Sequence, residues 1–211
     1  MLEPDVTLSD YAIAIITLVF TVLILRAPAR NRQARGWLAL IFFGVAAGAV
    51  LGGTVHGFLN VDKTSLSHFI VWRATLISVG VTALGGWGFG SSLLLKPSTA
   101  RTVRILAVLS LLVYAAIIVF FTQQFRVAII YYLPAALFLL YAFGRIAWRD
   151  RTWTAFTGFI GVLLSFLAAI IQQAHITIHP VYLTHNTLYH LIQIIGLYLI
   201  FRGGKWAIAR G

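Results

Sequence analysis

The chain has 211 residues, 60% of them hydrophobic and only 10% charged, with a mean hydropathy of +0.93. Soluble domains carry about a quarter charged residues, so a water-soluble globule is excluded. The formal net charge of +11 does not indicate a nucleic-acid partner, because the cations fall in short loops at helix ends and form no tract interleaved with exposed aromatics. Cysteine is absent, which removes disulfides, thiolate metal sites and cysteine nucleophiles.

Apolar runs of roughly 20 residues recur along the whole chain, as hydrocarbon-spanning helices require. They predict an all-α, polytopic membrane protein with spans at roughly 10–27, 36–59, 68–95, 103–122, 126–147, 154–173 and 187–203. These seven leave room for one domain only, residues 1–211. The first 27 residues do not read as a signal peptide, because Glu3, Asp5 and Asp10 stand where Lys or Arg is expected. In the third span, Gly85 to Gly90 contains four glycines, predicting close approach of neighbouring backbones or a kink. Pro134 lies inside the fifth span, where a bend is expected.

Orientation follows from the loops. Arg26, Arg30, Arg32 and Arg35 follow the first span; Lys96, Arg101 and Arg104 follow the third; Arg145, Arg149 and Arg151 follow the fifth; Arg202, Lys205 and Arg210 close the chain. The alternate loops hold only Lys63 and Arg126, and Glu3, Asp5, Asp10 and Asp62 fall on that cation-poor side. The positive-inside rule then puts the N-terminus outside and the C-terminus in the cytoplasm of a multi-pass inner (cytoplasmic) membrane protein. The acids near the N-terminus read as solvated charges marking the outer side, with calcium binding as the sharper alternative.

On this topology all six histidines reach the outer half. His56 ends span two, His68 opens span three, His175 and His179 follow span six, and His185 and His190 open span seven. Asn186 and His190 stand at i and i+4 on one helix face, and Gln193 continues a polar stripe. His185 is about 140° away from His190 around the helix, so it joins them only if the helix begins after it. His68 and Trp72 share a face of span three. His175 and His179 have the same i, i+4 spacing, but Pro180 and the alternation H-I-T-I-H predict an irregular loop. Arg73 lies within span three, where a charge normally faces the bundle interior or a wet cavity. Two readings of it stand: a bidentate holder of an anionic group, or a cation snorkelling to the headgroups over an aromatic ring.

A histidine closing span two (His56), polar residues opening span three and N-x-x-x-H (Asn186, His190) opening span seven resemble the CREST superfamily. These are seven-helix membrane hydrolases that include the alkaline ceramidases and are related to the progestin and adiponectin receptors. The chain is also similar to bacterial seven-helix membrane proteins of unassigned function with an H-N-x-x-Y-H helix start. The CREST resemblance implies one zinc held by three histidines, here His56 and His190 with His185 or His68 as the third. It implies too a serine one turn before the first histidine and an aspartate in helix three. Gly52 stands where that serine belongs, Asn186 where a further histidine belongs, and no acid occurs in span three.

Three functions compete on these residues. The first is a zinc-dependent hydrolase of a lipid amide or ester at the outer leaflet, with metal ligands His56, His185 and His190. His68 would be its base, Arg73 would hold the oxyanion or headgroup, and Asn186, Gln193 and Trp72 would line the pocket. The second is a subunit carrying a histidine-ligated haem or chlorophyll. The third is a non-catalytic lipid-binding protein or accessory subunit of a membrane complex. Membrane lipids are partners in all three, and a membrane-protein partner in the last two.

Overall fold

The computed structural model describes residues 1–179 and 182–210. Seven helices, α1 (Pro4–Arg26), α2 (Arg32–Thr54), α3 (Leu66–Leu94), α4 (Pro97–Phe120), α5 (Phe125–Asp150), α6 (Trp153–Gln173) and α7 (His185–Arg210), form an all-α bundle. All seven are long and apolar enough to cross a membrane. Consecutive helices run in alternating directions through short connections, so the start of α1 and the start of α7 lie at the same end of the bundle. That end also holds all six histidines, as expected from the sequence.

The ends of α1 and α7 differ from expectation. The first helix begins at Pro4, not near residue 10, because proline is suited to the first helical turn, where its missing N–H has no partner to lose. The extra turns place Asp5, Ser9 and Asp10 on a helix instead of in a solvated tail. α7 runs on to Arg210 rather than stopping at 203. α5 continues through Pro134 without interruption. After α2 the chain widens into a π-helical turn, Val55–Leu59, which carries His56; such turns are frequent at functional sites.

Apolar burial does not drive helices together within lipid, so association rests on close packing and polar contacts. The glycine-rich stretch of α3 provides the close packing. A Cβ on Gly85 would stand 2.8 Å from the Ile41 backbone nitrogen, so α2 and α3 meet there backbone to backbone. Gly161 of α6 and Gly196 of α7 meet the same way, each facing the other's carbonyl oxygen. Between these seams lies a core of Leu38, Phe42, Phe89 and Phe143, with Phe20 stacked on Phe201 at 4.4 Å. Hydroxyls inside the spans are satisfied by their own helices: Thr17 donates to Ile13 O and Thr82 to Ser78 O.

A histidine-centred hydrogen-bond site where α1 meets α7

At the histidine-bearing end, the acids of α1 are partnered, which corrects their reading as solvated charges. Glu3 meets His56 Nδ1 at 2.9 Å and accepts from the Asn60 amide at 3.0 Å. Asp5 accepts from the hydroxyls of Thr184 and Thr187 at 2.8 and 2.7 Å. Asp10 Oδ1 lies 3.3 Å from His190 Nε2, and the other ring nitrogen of His190 is 2.7 Å from Ser9 Oγ. The start of α1 is thus bound to the end of α2 by Glu3 and to α7 by Asp5, Ser9 and Asp10.

Ser9, Asp10 and His190 are buried, at 8%, 7% and 7% exposure. The sequence permits this because α2 offers no side chains where α1 crosses it. The Gly53 position lies 3.0 Å from Asp10 Cβ, and the Gly57 position 2.9 Å from Thr7 Cγ2. Gly52 has room to spare, with Asp10 Oδ2 at 3.7 Å and Thr75 Cγ2 at 3.6 Å. Ionisable side chains within a span are costly, usually paired, and mark functional sites; Asp10 and His190 are such a pair.

The expected polar face of α7 divides into two. Thr187 and His190 face α1, whereas Asn186 accepts from the Gln172 amide at 3.1 Å and Gln193 donates to Ser165 Oγ at 3.2 Å, both on α6. The i, i+4 spacing of Asn186 and His190 straddles the line where α7 passes between two neighbours. His185 turns to another histidine: His175 Nδ1 and His185 Nε2 are 3.3 Å apart. His175 has φ 53, a left-handed conformation that costs a non-glycine residue about 1 kcal/mol, and it ends α6 at this contact. His179 and Leu183 exchange backbone hydrogen bonds of 3.2 and 3.1 Å, closing the irregular loop expected there; Pro180 is outside the described residues.

The histidines therefore share an end of the bundle without forming one cluster. His56 turns to Glu3, His190 to Ser9 and Asp10, and His185 to His175. Among the described residues no three His, Asp or Glu side chains are grouped so as to hold a metal ion. The donor set implied by the CREST resemblance does not fit zinc.

His68 stands apart from Ser9 and His190, and Arg73 takes the second of its two readings, a cation over an aromatic ring. His68 is 6% exposed, its backbone N–H is capped by Ser65 Oγ, and its Nδ1 is the one buried side-chain nitrogen or oxygen without a hydrogen-bond partner among the described residues. Nothing joins it to Ser9 or His190. Arg73 lies 3.4 Å above the Phe69 ring, with Nε donating to Ile118 O at 3.0 Å and an Nη donating to Gln123 Oε1 at 3.2 Å. Trp72 Nε1 donates to Gln123 O at 2.8 Å. Arg73 thus satisfies a carbonyl at the end of α4, where the last carbonyls of a helix lack intrahelical partners, and Trp72 binds the connection that follows.

A family profile spans residues 6–208. The chain belongs to DUF6962, a family of unknown function. No curated protein and no solved structure matches it. The matched region includes Ser9, Asp10, Asp5's partners Thr184 and Thr187, and His190; Glu3 and Asp5 precede it. Sequence reasoning missed Ser9 and Asp10 as site residues. The available signal was the coincidence that nearly all the acids and all the histidines lie on one side, which becomes informative once the two sets are paired.

Proposed function

We propose that this member of DUF6962 is a divergent relative of the CREST hydrolases, acting at the outer leaflet on a lipid amide or ester. The observation that carries the reading is the bridging of Ser9 and Asp10 by the two ring nitrogens of His190. A hydroxyl, an imidazole and a carboxylate in series form the arrangement that activates a nucleophile, recognised by geometry and role and not by chain order. The serine and aspartate that the resemblance requires from helices two and three are offered instead by α1. His190 Nδ1 would take the Ser9 proton as Oγ bonds to the substrate carbonyl carbon. The same proton would pass to the leaving amine or alcohol as its bond to carbon breaks, and water would release the acyl group from Ser9. Asp10 would hold His190 with its hydrogen on Nε2 and so leave Nδ1 free to accept.

A second reading, a non-catalytic lipid-binding or accessory subunit, is favoured by burial. Ser9 Oγ already lies 2.8 and 2.9 Å from the carbonyls of Asp5 and Val6, and the residue is buried at the contact of α1 with α7. The deciding experiment treats full-length protein in mild detergent with a fluorophosphonate probe and locates the adduct by mass spectrometry. Labelling of Ser9 that disappears in His190→Gln supports the hydrolase. An unlabelled wild-type protein that also fails to cleave fluorogenic lipid amides and esters overturns it in favour of the subunit.

A further inference from the structure

A second polar site lies at the same end of the bundle, away from α1. A cleft of about 390 Å³ opens between the start of α5, the end of α6 and the start of α7. Its lining combines a cation, Arg126, with the amides of Gln124, Gln172 and Gln173 and the imidazoles of His175 and His185. Phe125 and Ile129 add an apolar side. Among the described residues no carboxylate lines the cleft. Asp5, which reaches α7 nearby, is held by Thr184 and Thr187 on the side of α7 that faces α1.

We propose that this cleft binds the phosphate of an anionic lipid headgroup. Three observations support it. The charge inventory is one-sided: among the described residues Arg126 has only the Gln124 amide oxygen, at a marginal 3.5 Å, as a side-chain partner. A guanidinium without a carboxylate suits a phosphate, which it can meet with two parallel hydrogen bonds. The lining is also ordered by its own contacts. The Gln172 amide is fixed on Asn186 at 3.1 Å, and His175 and His185 share one hydrogen bond, leaving each ring a further nitrogen. Finally, Phe125 and Ile129 would meet the glycerol and upper acyl carbons of a lipid, whereas a free phosphate would leave them unused. Arg126 is also one of the few cations outside the cation-rich end, so an anion retained here has no general excess of positive charge to explain it.

The site is independent of the Ser9–His190–Asp10 geometry, and its test does not require turnover. Full-length protein in zwitterionic detergent is titrated with short-chain phosphatidylglycerol, phosphatidylcholine or inorganic phosphate, and bound molecules are counted by native mass spectrometry. The expected result is one phosphatidylglycerol per chain held about tenfold more tightly than phosphatidylcholine, with phosphate a weak competitor. Arg126→Gln removes that lipid, while Arg145→Gln, at the opposite end, retains it. Gln173→Glu changes an exposed side chain and puts a carboxylate in the cleft, so it also expels the lipid without disturbing the bundle. Unchanged phosphatidylglycerol retention in both cleft variants overturns the proposal. So does phosphate binding more tightly than phosphatidylglycerol, which would identify a free anion as the ligand.

Discussion

His190 Nε2 lies 3.3 Å from Asp10 Oδ1 across the contact between α1 and α7, and Ser9 Oγ lies 2.7 Å from the opposite ring nitrogen. The proton positions in this series are coupled. The Ser9 hydroxyl has one proton and three acceptors in reach: His190 Nδ1 and the carbonyls of Asp5 and Val6. If the proton goes to Nδ1, the ring hydrogen sits on Nε2, on the side of Asp10 Oδ1 at 3.3 Å. If it goes to a carbonyl, Nδ1 becomes the donor to Ser9. Either Asp10 then carries a proton for Nε2, or the ring is an imidazolium. Rotation of one hydroxyl thus selects how many protons the three groups hold.

This coupling predicts non-additivity. Asp10→Asn and His190→Gln each remove half of a buried pair and should lower unfolding free energy in detergent by about 1–3 kcal/mol. The double variant should lose less than the sum, with an interaction energy of at least about 0.5 kcal/mol. Additive losses in a denaturant-unfolding cycle would show that the two side chains act independently.

The α1–α2 crossing and the α6–α7 seam together predict an ordering among glycine substitutions. Gly52→Ala meets only ordinary van der Waals contacts, at 3.6 and 3.7 Å, and should leave the melting temperature nearly unchanged. Gly57→Ala pushes on Thr7 from 2.9 Å, and Gly161→Ala meets the Gly196 carbonyl oxygen at 2.5 Å. Overpacking of this kind costs about 1–3 kcal/mol. Thermal melts by intrinsic fluorescence would settle the ranking, and a Gly52→Ala melt as low as that of Gly161→Ala would contradict it.

Arg73 should behave as a structural residue. Arg73→Met removes donors from Ile118 O and Gln123 Oε1, and hydrogen bonds from a charged group contribute about 1.5–3 kcal/mol each at most. Reduced stability with undiminished fluorophosphonate labelling of Ser9 is expected. Loss of labelling in a variant that remains monodisperse would restore Arg73 to the reacting site.

Metal removal should leave the protein intact. His56, His185 and His190 are engaged by different partners, so extended dialysis against chelator is expected to shift neither the melting temperature nor probe labelling. A fall in melting temperature that zinc alone restores would show that the three histidines can converge.

Membrane orientation is testable with an unusually clean background, because the chain has no cysteine. Single cysteines at Lys63 and at Arg30 should differ in reaction with a membrane-impermeant maleimide on intact cells, with Lys63→Cys labelled and Arg30→Cys protected. The reverse pattern would overturn the N-terminus-outside assignment that rests on loop charge.

Several of these features were legible without a structure, because they depend only on local runs of residues. Seven apolar stretches of spanning length fixed the class of protein, since hydrocarbon thickness sets helix length whatever the neighbours are. Alternation of spans sent His56, His68, His175, His179, His185 and His190 to one end, and the glycines of α3 foretold a close helix seam. Pairings were decided only by the tertiary structure. Asn186 and His190 look like one polar face on an isolated helix, yet α6 takes Asn186 and α1 takes His190. Arg73 admits two readings on sequence, an anion holder or a cation over an aromatic ring, and Phe69 with the end of α4 takes up its guanidinium. Pro4, by starting α1 nearly two turns before the apolar run seemed to begin, put Asp5 and Ser9 on the same helix as Asp10. Helix period and hydropathy act within one element, whereas a buried carboxylate or imidazole is defined by the neighbour that satisfies it. Only the packed bundle selects that neighbour.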